Sequence, residues 1–167
     1  MADYQRIYVP GGTYFFTVVT AHRRPWLSTD AGRTVLGRSM REVRRDQPFD
    51  TVALVLLPDH LHVIWRLPNG DTDFSRRWRR IKQRASHGLR GSSDLAGPFW
   101  QSRFWEHWIR DDDDLQRHID YIHYNPVKHG LVASPADWNA STFHRFVAKG
   151  VYAADWGGPD DMIDVPE

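Results

Sequence analysis

The sequence predicts an α+β domain, an antiparallel sheet with helices packed on one of its faces. Three observations lead there. Segments of strand and helix character follow one another as strand–helix–strand–strand–helix–strand–helix. The two central strand segments are separated only by Pro58-Asp59, a turn too short for anything but antiparallel neighbours. A chain of 167 residues that is 41% hydrophobic has the length of one domain and enough apolar side chains for a core.

Each element has its own signal. After Gly11-Gly12, residues 13–20 are β-branched and aromatic, and Arg23-Arg24-Pro25 ends that strand. Ser28-Thr29-Asp30 supplies capping groups for a helix over residues 31–45, on which Val35, Leu36, Met40 and Val43 fall near helical spacing. Residues 50–57 are apolar enough for a buried central strand. Residues 60–67 form its partner, with His60, His62, Ile64 and Arg66 on one face and Leu61, Val63, Trp65 and Leu67 on the other. Pro68-Asn69-Gly70-Asp71 turns the chain into a helix over residues 74–86, with Trp78, Ile81 and Ala85 as its buried stripe. Residues 88–97 read as a Gly/Ser-rich loop, and residues 99–109 contain the last strand. The acids at 111–114 suit a helix N-terminus. That helix covers residues 115–125 with Leu115, Ile119 and Ile122 inward, and Pro126 predicts a kink or an end at Asn125. The remainder, through Trp138 and Trp156, reads as loosely structured wrapping.

Bulk properties narrow the function classes. No cysteine is present, which excludes disulfides, thiolate metal sites and a cysteine nucleophile and fits a reducing cytoplasm. No apolar run approaches the ~18 residues that span a bilayer, and the N-terminus lacks a signal-peptide pattern, so no membrane is expected among the partners. The net charge is only +1, but residues 155–167 carry five acids and no base, which leaves a body of six positive charges. A basic domain over residues 1–154 with an acidic, disordered tail over 155–167 fits a polyanionic partner.

The chemistry starts at His60 and His62. Residues two apart on a strand project side by side, and two adjacent imidazoles can both reach one divalent ion. Tyr121 and Asn125, four apart on the late helix, share a side, with His118 three residues before Tyr121. That helix can cross the face that carries the histidines. Asn125 offers an amide oxygen as a third ligand, and Tyr121 a phenol. A phenol beside a metal and a basic surface suits attack on a phosphodiester: the weak nucleophile needs a base or nearby positive charge, and the phosphate a Lewis acid. The basic surface is the 74–86 helix. Arg76, Arg77, Arg79, Arg80, Lys82 and Arg84 put six cations into nine residues with no acid among them, a repulsion that a polyanion would relieve. The aromatics of residues 99–109 either join the core or stack on bases, and the sequence does not separate the two.

Two stretches carry a resemblance: Leu57-Pro58-Asp59-His60-Leu61-His62-Val63-Ile64-Trp65, and Asp120-Tyr121-Ile122-His123-Tyr124-Asn125-Pro126-Val127-Lys128-His129-Gly130-Leu131-Val132. With Arg103-Phe104-Trp105-Glu106-His107 and Ser141-Thr142-Phe143-His144-Arg145, the chain resembles the REP-associated tyrosine transposases over residues 4–156. These are relatives of the single-strand insertion-sequence transposases among the His-hydrophobic-His endonucleases. The resemblance implies a ferredoxin-like fold, a Mg²⁺ or Mn²⁺ cofactor, and cleavage of single-stranded DNA near a palindromic hairpin that leaves a 5′-phosphotyrosine and a free 3′-OH. By position it makes Tyr121 the nucleophile and His60, His62 and Asn125 the metal ligands, in a monomer rather than a dimer. Tyr124 falls away from the metal side. Two competing readings remain open: a hairpin-DNA-binding module without chemistry, and a metal hydrolase of small phosphoesters that uses water instead of Tyr121.

Overall fold

The computed structural model describes residues 5–92, 95–161 and 163. Four strands, β1 (Thr13–Val19), β2 (Asp50–Leu56), β3 (His60–Arg66) and β4 (Trp105–Trp108), form one sheet in the order β2-β3-β1-β4. All neighbours are antiparallel. The helices are α1 (Asp30–Asp46), α2 (Phe74–Ser92), α3 (Asp112–Lys128) and the short α4 (Phe143–Ala148).

The alternation predicted for β3 divides the interior into two cores. Leu61, Val63 and Trp65 join Tyr14, Phe16 and Val18 of β1 on the face covered by α1 and α2, where Trp65 stacks on Trp78 at 4.3 Å between ring centroids. Ile64 joins Phe15, Ala53 and Val55 on the other face, which α3 crosses through Ile119 and Ile122. The late helix therefore lies over the histidine side of the sheet.

Local chemistry sets the helix ends. Thr29 caps α1 by accepting from the Gly32 amide at 3.1 Å, so the helix begins one residue before the predicted start. Asp111 caps α3 in the same way, accepting from the Asp114 amide at 2.8 Å. α2 and α3 both run past their predicted ends. α2 runs to Ser92 rather than stopping at residue 86, because Leu89 extends the buried stripe of Trp78, Ile81 and Ala85. Gly88, read as the start of a loop, is instead a point of close approach: a Cβ there would sit 2.9 Å from Val35 Cγ1 of α1. α3 also passes through Pro126 and ends at Lys128. The missing amide falls in the last turn, where it costs a single helical bond, and the His129 amide closes the end by donating to the Asn125 carbonyl at 3.0 Å.

The C-terminal wrapping is more regular than predicted. Residues 139–142 pair with the free edge of β2, the Leu56 amide donating to the Ala140 carbonyl and the Thr142 amide to the Leu54 carbonyl, both at 2.9 Å. Part of the segment expected to be disordered is packed: Trp156 lies 4.4 Å from Tyr152, between ring centroids, against the α3 core. The rest of that expectation, at Met162 and residues 164–167, lies outside the described residues.

His123 ties this wrap to α3. Fully buried, it meets Thr142 Oγ1 at 2.8 Å and the Tyr152 hydroxyl at 3.2 Å, and Tyr152 donates to Asp120 at 2.6 Å. Burial, and then the charge of Arg145, push its pKa down to about 3. The folded protein thus holds a neutral imidazole while the unfolded chain takes up a proton below about pH 6.5. Stability contributed by this group is full above pH 6.5 and declines as the pH falls toward 3. Going from pH 7 to 5 is expected to remove about 2 kcal/mol on its account. Urea unfolding at the two pH values measures the loss, which His123→Gln should reduce.

Candidate active site

β3 is an interior strand, so its backbone is held on both sides and the two histidines have fixed origins. Their rings sit 4.9 Å apart between centroids. Each is oriented by a partner on Nδ1. His62 Nδ1 lies 2.9 Å from Thr17 Oγ1, its register partner on β1. His60 Nδ1 lies 2.7 Å from an Asp59 oxygen, and the second oxygen of Asp59 accepts from Arg23 at 3.2 Å. These bonds leave Nε2 of each ring for another partner. The Nε2 of His62 is buried and finds none among the described residues. Burial, followed by the charges of His60, His129 and Lys128, holds the His62 pKa well below the usual imidazole value, so the ring is a neutral donor at pH 7.

The histidines open into a cleft of about 340 Å³. Tyr121 of α3 forms part of its wall, with its ring centroid 5.2 Å from that of His62. The Lys128 ammonium lies 4.8 Å from the Tyr121 ring centroid, and Arg23 and His129 add further basic groups to the lining. Trp105 completes a wall with half of its surface exposed (50%), so this aromatic is not part of the core. Phe99, by contrast, is buried. Tyr124 turns toward Trp156 and does not line the cleft.

Asn125 lies one turn beyond Tyr121. It is fully buried, and neither its Oδ1 nor its Nδ2 has a hydrogen-bond partner among the described residues. It does not line the cleft. Unpaired buried amides cost roughly 1–3 kcal/mol, so a group left in this state points to a ligand. The two predicted ligands His62 and Asn125 are thus both buried polar groups without a partner among the described residues, and an imidazole with an amide oxygen is a donor chemistry that divalent cations accept, though of the two only His62 lines the cleft.

The predicted basic helix lies elsewhere. α2 packs on the opposite face of the sheet from the cleft, and its six cations have different environments. Arg77 is 1% exposed and donates to both Asp71 oxygens, at 2.8 and 3.0 Å, and to the carbonyls of Gln47, Pro48 and Asp73. It is a structural residue, which corrects its reading as a DNA contact. Arg80 pairs with Asp46 at 2.7 Å and Arg84 with Glu42 at 2.8 Å, both acids belonging to α1. Lys82 donates to the Gln101 carbonyl at 2.9 Å, and burial with the nearby Arg6 charge lowers its pKa to about 8. Arg76 and Arg79 are exposed.

A second constellation was not predicted. His107 of β4 and Asp114 and His118 of α3 bring their donor atoms within 4.8 Å of one another beside the cleft. Asp114 is 2% exposed and accepts from His107 Nε2 at 2.9 Å and from the Arg110 amide at 3.0 Å. His118 Nδ1 lies 2.8 Å from the Asp114 carbonyl and 3.2 Å from its carboxylate. The i,i+4 spacing of Asp114 and His118 was visible in the sequence, but the arrival of His107 from another element was not.

Comparison with known proteins bears on this geometry. The family model described as "Transposase IS200 like" matches residues 8–125. The chain is 49% identical over 164 residues, 98% of its length and 94% of the relative's, to the "REP-associated tyrosine transposase" of Escherichia coli (strain K12). A Haemophilus influenzae relative is 40% identical over 172 residues, 97% of each chain. Among solved structures, one described as "Structure of the REP associates tyrosine transposase bound to a REP hairpin" superposes with a TM-score of 0.86 at 46% identity. It covers 100% of this chain and 98% of its own.

Proposed function

The chain belongs to the REP-associated tyrosine transposases of the IS200-like family and is an enzyme of that kind, and on that premise we propose that it cuts and rejoins single-stranded DNA at palindromic hairpins through a 5′-phosphotyrosine at Tyr121. The observation that carries the reading is the cleft itself, where His60 and His62 stand side by side with the Tyr121 ring 5.2 Å from His62. His60, His62 and Asn125 would hold a Mg²⁺ or Mn²⁺ ion, whose part is to polarise the scissile phosphate. The other groups belong to this chain alone. Tyr121 Oη attacks the phosphorus as the bond to the 3′ oxygen breaks, and the retained phosphoester lets a 3′-OH reverse the step. Arg23 and His129 line the cleft, and Lys128 lies over the Tyr121 ring beside it, which offers basic groups for the phosphate backbone. Trp105 offers a base a stacking surface. A single cleft built within one chain suits a monomer, and a DNA substrate suits the cytoplasm. Among the described residues no helix is long and apolar enough to cross a membrane.

The test is to incubate the protein with a REP hairpin oligonucleotide carrying single-stranded flanks and Mg²⁺. A covalent adduct is expected, with the modified peptide mapping to Tyr121 by mass spectrometry, and EDTA should prevent its formation. Salt-sensitive hairpin binding without any adduct under Mg²⁺ or Mn²⁺ would leave the protein a binding module.

A further inference from the structure

We propose that His118, locked in place by Asp114 and His107, accepts the proton from Tyr121 Oη as the phenol attacks. The inference rests on the reading of Tyr121 as nucleophile and adds the base which that reading leaves unassigned. His118 and Tyr121 line the same cleft from one side of α3, three residues apart. Both pack on the Phe15 ring, at 4.9 and 5.8 Å between centroids.

The surroundings of His118 fix both its tautomer and its orientation. The Asp114 carbonyl and carboxylate take the Nδ1 hydrogen, at 2.8 and 3.2 Å, so the lone pair resides on Nε2. No hydrogen bond among the described residues engages that atom. On one side of the ring lies His107, stacked at 4.5 Å and 17°. On another lies Phe15. Asp114 is itself immobilised by the Arg110 amide and His107, with the Arg117 guanidinium 3.6 Å away. An imidazole held by a buried carboxylate, with its other nitrogen unengaged and a nucleophile lining the same cleft, is the arrangement that general-base catalysis uses.

Elimination within the cleft leads to the same residue. Among the described residues no carboxylate lines it. His60 and His62 are committed to the metal. His129 is exposed, with no hydrogen bond to fix its ring among the described residues. Burial is the largest influence on His118 and lowers its pKa below the usual imidazole value. The charges of His107 on β4 and Arg117 on α3 act in the same sense, against the hydrogen bond and charge of Asp114. The ring is therefore neutral at pH 7. In the step, the Oη–H proton passes to Nε2, directly or through one water. The Oη–P bond forms, the P–O3′ bond breaks with its electron pair on the 3′ oxygen, and that oxygen takes a proton from water. In strand rejoining, the imidazolium returns its proton to Oη.

The experiment measures single-turnover adduct formation with the REP hairpin oligonucleotide and Mg²⁺, in full-length protein carrying either tyrosine or 3,5-difluorotyrosine at position 121. The fluorinated phenol is acidic enough to ionise without a base. His118→Gln is expected to slow the tyrosine protein by about 10²- to 10⁴-fold, with hairpin affinity by anisotropy unchanged. In the difluorotyrosine protein the same substitution should cost less than about tenfold. A His118→Gln rate within threefold of the parent, or an equal loss in both backgrounds, overturns the role of His118 and leaves Tyr121 as nucleophile. Absence of adduct from the unsubstituted protein, or its persistence in Tyr121→Phe, overturns the underlying reading and the inference with it.

Discussion

Replacing Tyr121 by phenylalanine is expected to abolish the covalent protein–DNA adduct, a fall of at least about 10⁴-fold in strand cleavage. The substitution removes one oxygen and little else. The Tyr121 hydroxyl makes no hydrogen bond among the described residues, and its ring keeps its edge contact with Phe15 and its place beside His62. Folding free energy should change by no more than about 0.5 kcal/mol. Hairpin affinity should also persist, because the basic groups of the cleft are untouched. Gel analysis of labelled hairpin DNA with Mg²⁺, alongside anisotropy at fixed salt, separates the two properties. Loss of binding together with cleavage would mean that Tyr121 grips the DNA rather than attacking it.

The second large effect is on stability and lies on the other side of the sheet. Arg77→Ala is expected to cost about 3–5 kcal/mol, a large share of the 5–15 kcal/mol that holds a typical domain. Its guanidinium joins the turn before α2, through Asp71 and the Asp73 carbonyl, to the end of α1, through the carbonyls of Gln47 and Pro48. Removing it takes away a buried side chain and all five of these hydrogen bonds, which together pin the turn to the end of α1. Arg76→Ala and Arg79→Ala, at exposed positions of the same helix, should stay within about 0.5 kcal/mol. Urea unfolding of the three variants tests the contrast, and an Arg77→Ala protein as stable as its parent would refute the structural role.

That contrast shows where sequence reading stops. Six cations on one helix were legible, but their partners were not, because Asp46 and Glu42 lie on α1, some thirty to forty residues away in the chain. Periodicity served well wherever a residue's role follows from its own element. It placed His60 and His62 opposite Leu61, Val63 and Trp65, and it put Tyr121 on a helix that reaches them. It failed where a neighbour overrides a local rule. Gly88 reads as a loop but serves a helix crossing, and Pro126 reads as a stop but sits where a helix can spare an amide. The His107–Asp114–His118 cluster is local in the chain, but the angle at which β4 hands over to α3 carried no signal in the sequence.

The two-sided character of β3 has a further consequence. A slip of one residue in its register would exchange its faces, turning Leu61, Val63 and Trp65 toward the wet cleft and burying both imidazoles against Phe16 and Trp78. Every apolar contact on the far side of the strand therefore acts as a proof-reader for the geometry of the cleft. The placement of His60 and His62 is thus set by residues buried on the far side of the sheet, so the side chains around the cleft can vary while the register of the histidine pair stays fixed.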